Sequence, residues 1–172
     1  ICKNVFIGKT DVSGMTKEEA VKAVNNTLGD YRNKQLVLKV KDQGADVSIE
    51  EMGAEVENID KLAEKAVGYG KNGSIWSRYQ KIHNLDKKKY VIDESFKVDE
   101  AKLRELIQER AVPLEQKAVN ASASYNGSGF DLTDEAEGYT VDVDKSVKKI
   151  KNFMNKKWNY EDAEVELKLD ME

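Results

Sequence analysis

The sequence holds one cysteine, one proline and one histidine in 172 residues. With Cys2 alone, no disulfide can form within the chain and no cysteine-based zinc site can be assembled from it. With Pro113 alone, no proline-rich linker or stalk runs through it. No apolar run approaches the roughly 20 residues needed to cross a bilayer, and no signal-peptide pattern is present. An excess of positive charge is also missing. Lys and Arg total 28 against 32 Asp and Glu, a net charge of −4, whereas a nucleic-acid-binding domain is usually basic overall. The composition therefore argues against a nucleic-acid partner and against a membrane span.

Catalytic pairs are absent in the same way. Cys2 and His83 lie 81 positions apart, and a thiol nucleophile needs a base or another source of thiolate stabilisation. No Asp-rich loop of the calcium type occurs. Glu50 and Glu51, and Asp134, Glu135 and Glu137, occupy equivalent places in two halves of the chain. Hydrolytic carboxylates must converge on one cleft, so these read as caps and loop anchors. No catalytic residue, metal or cofactor is expected. Sparse cysteine fits either a reducing cytosol or a Gram-positive surface protein.

What the chain does have is an internal echo. Leu36, Leu38 and Val40 line up with Val119, Ala121 and Ala123 at an offset of 83, as do Val47 and Ile49 with Phe130 and Leu132. Such self-similarity signals one supersecondary unit built twice. The expected units are residues 1–86, including a connector, and residues 87–172. Each reads as strand, helix, hairpin, helix. Val5 to Val12 reads as one strand. Thr16 with Glu19 forms a capping box for a helix carrying Ala20, Val24 and Leu28 on one face. Asp42-Gln43-Gly44 reads as the first hairpin turn and Asn126-Gly127 as the second. Helices follow from about Asn58 to Gly68, Asp99 to Arg110 and Asp144 to Lys157, and a last strand from Ala163 to Leu169. This order predicts an α+β fold with antiparallel hairpins, as two lobes or one shared sheet. The chain opens straight into strand-like sequence and reads as a piece of something longer.

Three short motifs carry a family resemblance across essentially the whole chain. They are Asn4-Val5-Phe6-Ile7-Gly8 with Asp11 to Ala20, then Tyr69-Gly70-Lys71-Asn72-Gly73-Ser74 with Arg78, then Glu135-x-Glu137-Gly138-Tyr139-x-Val141-Asp142. In this order they resemble the peptidoglycan-binding domains of Gram-positive envelope proteins. Those domains accompany L,D-transpeptidase catalytic domains and occur in vancomycin-resistance W-type proteins. The resemblance implies a non-catalytic module at the wall or a membrane-anchored surface, with peptidoglycan or another wall polymer and a neighbouring domain as partners. The Ser-His-Gly-Cys type segment of the catalytic neighbours is absent here.

The connector is the candidate surface. Residues 69–90 hold six basic residues and one acid, a local charge of about +5, interleaved with Tyr69, Trp76, Tyr79 and Tyr90. Aromatic faces suit sugar rings, and cations suit carboxylates or phosphates. The expected binding residues are Tyr69, Lys71, Ser74, Trp76, Arg78, Tyr79 and Lys81. Two readings stand beside each other. The connector binds wall polymer, or it is a spacer or protein-interaction lobe in which Trp76 and Ile82 plug a seam and Arg78 bridges the halves.

Overall fold

The computed structural model describes all residues, 1–172. Its first half runs β1 (Val5–Ile7), β2 (Thr10–Asp11), α1 (Lys17–Asp30), β3 (Gln35–Val40), β4 (Gln43–Ser48), β5 (Glu55–Val56) and α2 (Ile59–Gly68). A further helix, α3 (Ile75–Leu85), follows. The second half runs β6 (Tyr90–Ile92), β7 (Phe96–Lys97), α4 (Glu100–Arg110), a 3-10 turn at Val112–Leu114, β8 (Ser122–Tyr125), β9 (Phe130–Thr133), β10 (Tyr139–Val141), α5 (Val143–Lys156), β11 (Ala163–Glu166) and β12 (Leu169–Met171). The fold is α+β, with five α-helices and several small sheets.

Local sequence explains most of these elements. Thr16 accepts from the Glu19 amide while Glu19 accepts from the Thr16 amide, the reciprocal box that fixes the start of α1. Ala20, Val24 and Leu28 recur every four residues and are buried. Asp99 and Asp142 cap α4 and α5 by accepting from Lys102 and Lys145. Helix α5 thus begins at Val143, one position before the expected start at about Asp144.

Several boundaries differ from the expected ones. Val5 to Val12 is two strands, because Gly8 (φ +53°) turns the chain between them. A side chain at Gly8 would collide with the Glu94 carboxylate. The first hairpin turns at Lys41-Asp42, and Gln43 and Gly44 already pair with Val40 and Lys39. The last strand breaks at Leu167-Lys168 into β11 and β12.

Strand pairing crosses between the halves. β1 runs parallel to β6 with Val5 opposite Tyr90, and β11 runs parallel to β3 with Ala163 opposite Leu36. β5 pairs antiparallel with β7, again across the halves, whereas β10 pairs antiparallel with β12 within the second half. The 32 buried apolar side chains form one continuous cluster. Both halves contribute to it, from Val5, Leu38 and Ala63 to Leu103, Ile150 and Val165.

An aromatic knot closes the core. Phe96 meets Trp158 and Tyr160 edge-on at centroid distances of 4.7 and 5.2 Å, and Tyr31 meets Tyr160 at 4.9 Å. The Tyr160 hydroxyl donates to Glu94, whose other oxygen is buried with no partner. Burial raises the Glu94 carboxyl above its ordinary range, outweighing the opposing Tyr160 hydrogen bond and the Lys9 charge. Between the ordinary value and the raised one, the folded chain holds a proton that the unfolded chain has released. Acidification into that window therefore stabilises the fold, and ionisation above it costs stability. Glu94→Gln removes this ionisation and is expected to flatten the loss of stability that the parent shows as pH rises through the raised range. Urea titration of both chains at a series of pH values checks this.

Glu51 shows the opposite case. Its two oxygens accept from Arg110 at 2.6 and 2.9 Å, and one also accepts from the Ser48 amide at 2.8 Å. The Arg110 guanidinium holds the Glu51 carboxyl down at about 2. The pair ties the end of β4 to the end of α4, so it joins the halves. Its contribution is present above the usual carboxyl range and is lost as pH falls toward 2. Both side chains are about one-third exposed, so solvent screening trims the value. Arg110→Ala is expected to cost about 1 kcal/mol at pH 7 and less near pH 2, read by chemical denaturation at each pH.

Candidate functional site

The connector between α2 and β6 folds into a loop and α3. Gly70 (φ +76°) turns the loop under the first residues, where a side chain would sit 3.2 Å from Ile82 and 3.5 Å from the Cys2 sulfur. Ser74 caps α3 by accepting from the Ser77 amide at 3.2 Å. Leu85 is the one buried side chain of the helix. Asn4 donates to the Leu85 carbonyl at 2.6 Å, and Lys3 pairs with Asp86 at 3.1 Å. The C-terminal end of α3 is thus pinned to the chain start, and the rest lies on the surface.

The outward side of α3 is aromatic and apolar. Ile75 is 85% exposed and Trp76 68%, and Tyr79 and Ile82 are also open to solvent. Trp76 lies 6.0 Å from Tyr79, and Tyr79 5.8 Å from His83, with interplanar angles of 22° and 4°. The three rings form a near-parallel row along one helix face, as the spacing of 3 and 4 residues dictates. A large exposed apolar side chain is ordinary alone, whereas a contiguous exposed apolar patch is uncommon.

Behind the helix is a groove of about 260 Å³ lined by Glu64, Lys65, Tyr69, Asn72, Lys81 and Tyr90. Tyr69 stacks on Tyr90 at 3.9 Å and 17°, and burial pushes the Tyr69 phenol up. Lys81 donates to the Asn72 carbonyl at 3.4 Å, holding its ammonium at the groove edge.

The expected residues divide between two places. Tyr69 and Lys81 line the groove, while Trp76 and Tyr79 stand on the outward face. Ser74 is occupied as a helix cap. Lys71 and Arg78 are exposed cations outside the groove lining. The seam reading of Trp76 and Ile82 is corrected by their exposure, and Arg78 makes no salt bridge between the halves or elsewhere. Glu64, Lys65 and Asn72 were not foreseen. Glu64 comes from α2, where it also pairs with Lys17 at 2.7 Å, and only folding brings it to the connector.

The other chemical groups are engaged separately. The Cys2 thiol donates to the Tyr69 carbonyl at 3.5 Å, whereas His83 faces Asp86 at 3.9 Å. Glu51 is committed to Arg110 and Ser48, and Asp134, Glu135 and Glu137 lie exposed in the other half. No group of three His, Cys, Asp or Glu side chains is arranged to hold a metal ion. Larger hollows lie elsewhere, one of about 610 Å³ beside Asn25, Arg32, Asp60 and Lys97, and one of about 400 Å³ between α5 and β11. Their walls are mostly charged or amide side chains without the aromatic pairing of the connector.

The family profile described as "Putative peptidoglycan binding domain" matches residues 45–163. The chain belongs to this peptidoglycan-binding domain family. Domains of this kind are generally non-catalytic. The match spans the second half of the first hairpin, both helices flanking the connector, α3 itself and the second hairpin. No curated protein and no solved structure matches the chain.

Proposed function

We propose that this chain is a non-catalytic extracytoplasmic module that retains an associated domain on the cell wall. It does so through contacts spread along α3 and the groove behind it. The observation that carries the reading is the row Trp76, Tyr79 and His83, presented to solvent on a helix within the family match. Flat rings accept the apolar faces of sugars, and Tyr and Trp add a polar edge. Lys71, Arg78, Lys81 and Lys87 to Lys89 lie in the same segment, where they meet stem-peptide carboxylates or wall phosphates. Each contact is weak. Binding to a polymer with many equivalent sites raises the local concentration of whatever the module is joined to. The associated domain in this reading is L,D-transpeptidase-like and the envelope Gram-positive, as the three motifs imply.

No helix is long and apolar enough to cross a membrane. Sedimentation with purified sacculi at low salt tests the reading. The chain is expected in the pellet, released as salt rises and charge contacts are screened. A chain that stays in the supernatant at low salt ends the wall-binding reading and leaves the spacer role.

A further inference from the structure

The second hairpin carries an apolar face that nothing covers. β8 and β9 pair Ala123 with Leu132 and Tyr125 with Phe130. Directly opposed residues share a face, so these four stand on one side, with Ser122, Ser124, Asp131 and Thr133 on the other. Val119, bridged to Ala136, and Ala121 continue the apolar row by the period of two. Phe130 is 69% exposed and Leu132 77%. The far edge of β8 has no neighbour, and its four residues carry no charge to guard it.

The first hairpin shows what such a face holds. Its corresponding residues, Leu36, Leu38, Val40, Val47 and Ile49, are at most 1% exposed. β11 runs along the free edge of β3, α4 packs on β4, and α5 backs β11. All three covering elements come from residues 100–166, which follow the hairpin in the chain. The registers differ. Val47 pairs with Leu36, but Phe130 pairs with Tyr125, six positions beyond Val119. An even slip leaves every side chain on its own face, so the apolar pattern survives it.

The geometry points to one occupant for the second hairpin: a further helix–hairpin–helix–strand unit of this same family. It would be seated as residues 100–166 sit on the first hairpin, with a strand parallel to β8 and helices over Tyr125, Phe130 and Leu132. Size separates this from a second copy docking hairpin to hairpin. Two four-residue strands offer a few hundred Å², well below the roughly 800 Å² per partner of a stable complex. A strand with a helix pair covers edge and face together.

The test appends a second copy of residues 100–172 after Glu172 of the full chain and reads amide hydrogen exchange. In the 172-residue chain, β8 amides are expected to exchange at least 100-fold faster than those of β3. In the extended chain, β8 protection is expected to rise to within about tenfold of β3. Leu132→Asp should undo that rise while leaving the thermal midpoint of the 172-residue chain unchanged. An appended unit that stays unfolded, or one that folds and leaves β8 unprotected, overturns the proposal. So does a concentration-dependent dimer of the 172-residue chain in sedimentation equilibrium that Leu132→Asp abolishes, because the occupant is then a second copy. Wall retention enters none of these readouts, so this proposal fails or stands apart from the function of α3.

Discussion

Trp76→Ala combined with Tyr79→Ala is expected to lower the fraction of protein retained on sacculi at least tenfold while the thermal midpoint moves by no more than about 2 °C. The two halves of that expectation come from one fact. Both rings are exposed on a helix anchored elsewhere, through Leu85 and the Asn4 bond to its carbonyl. Surface changes away from packed regions stay within about 0.5 kcal/mol. Covering about half of an aromatic ring's apolar surface is worth about 1 kcal/mol, and losing two such contacts together exceeds the 1.4 kcal/mol of a tenfold change. Pelleting assays over a range of wall concentration measure the first quantity, and differential scanning calorimetry the second. A spacer role predicts unchanged pelleting. A large fall in the midpoint would mean that the rings are packed, contrary to the structure.

Phe96→Ala is expected to be the most damaging single core change, costing about 3–5 kcal/mol and lowering the midpoint by about 10 °C or more. Phe96 is 2% exposed, and its ring meets two aromatic neighbours edge-on. On its own strand it pairs with Val56 of the first half. Truncation leaves a cavity beside Trp158, Tyr160 and Val56, neighbours held by packing elsewhere that collapse into it only in part. Urea unfolding measures the loss. Phe96→Leu keeps most of the volume and is expected to recover about half of it.

These two regions, α3 and the aromatic knot, show where the sequence is readable and where it is not. Caps were legible, because Thr16-x-x-Glu19 and Asp99 act within four residues of themselves. The α+β class and the apolar face of α1 were legible for the same reason. α3 was not foreseen as a helix, although Ser74 followed by Ile75, Tyr79 and Ile82 supplies a cap and helical spacing; the glycines and the charge of the connector masked it. The parallel pairings β1–β6 and β3–β11 leave no local trace. They join residues 85 and 127 positions apart, and strands buried by distant partners read like any short apolar run. The groove divided for the same reason. Trp76 and Tyr79 are neighbours on one helix, but Glu64 and Lys65 reach the connector only through the packing of α2.

The pairing of β3 with β11 also sets a schedule. Until Glu166 has emerged from the ribosome, β3 has no partner on one side, and the first hairpin lacks the cover of α4, α5 and β11. Pairings so distant along the chain make acquisition of the native state slow. A nascent first half is therefore the stage at which this polypeptide depends most on being kept from sticking to others.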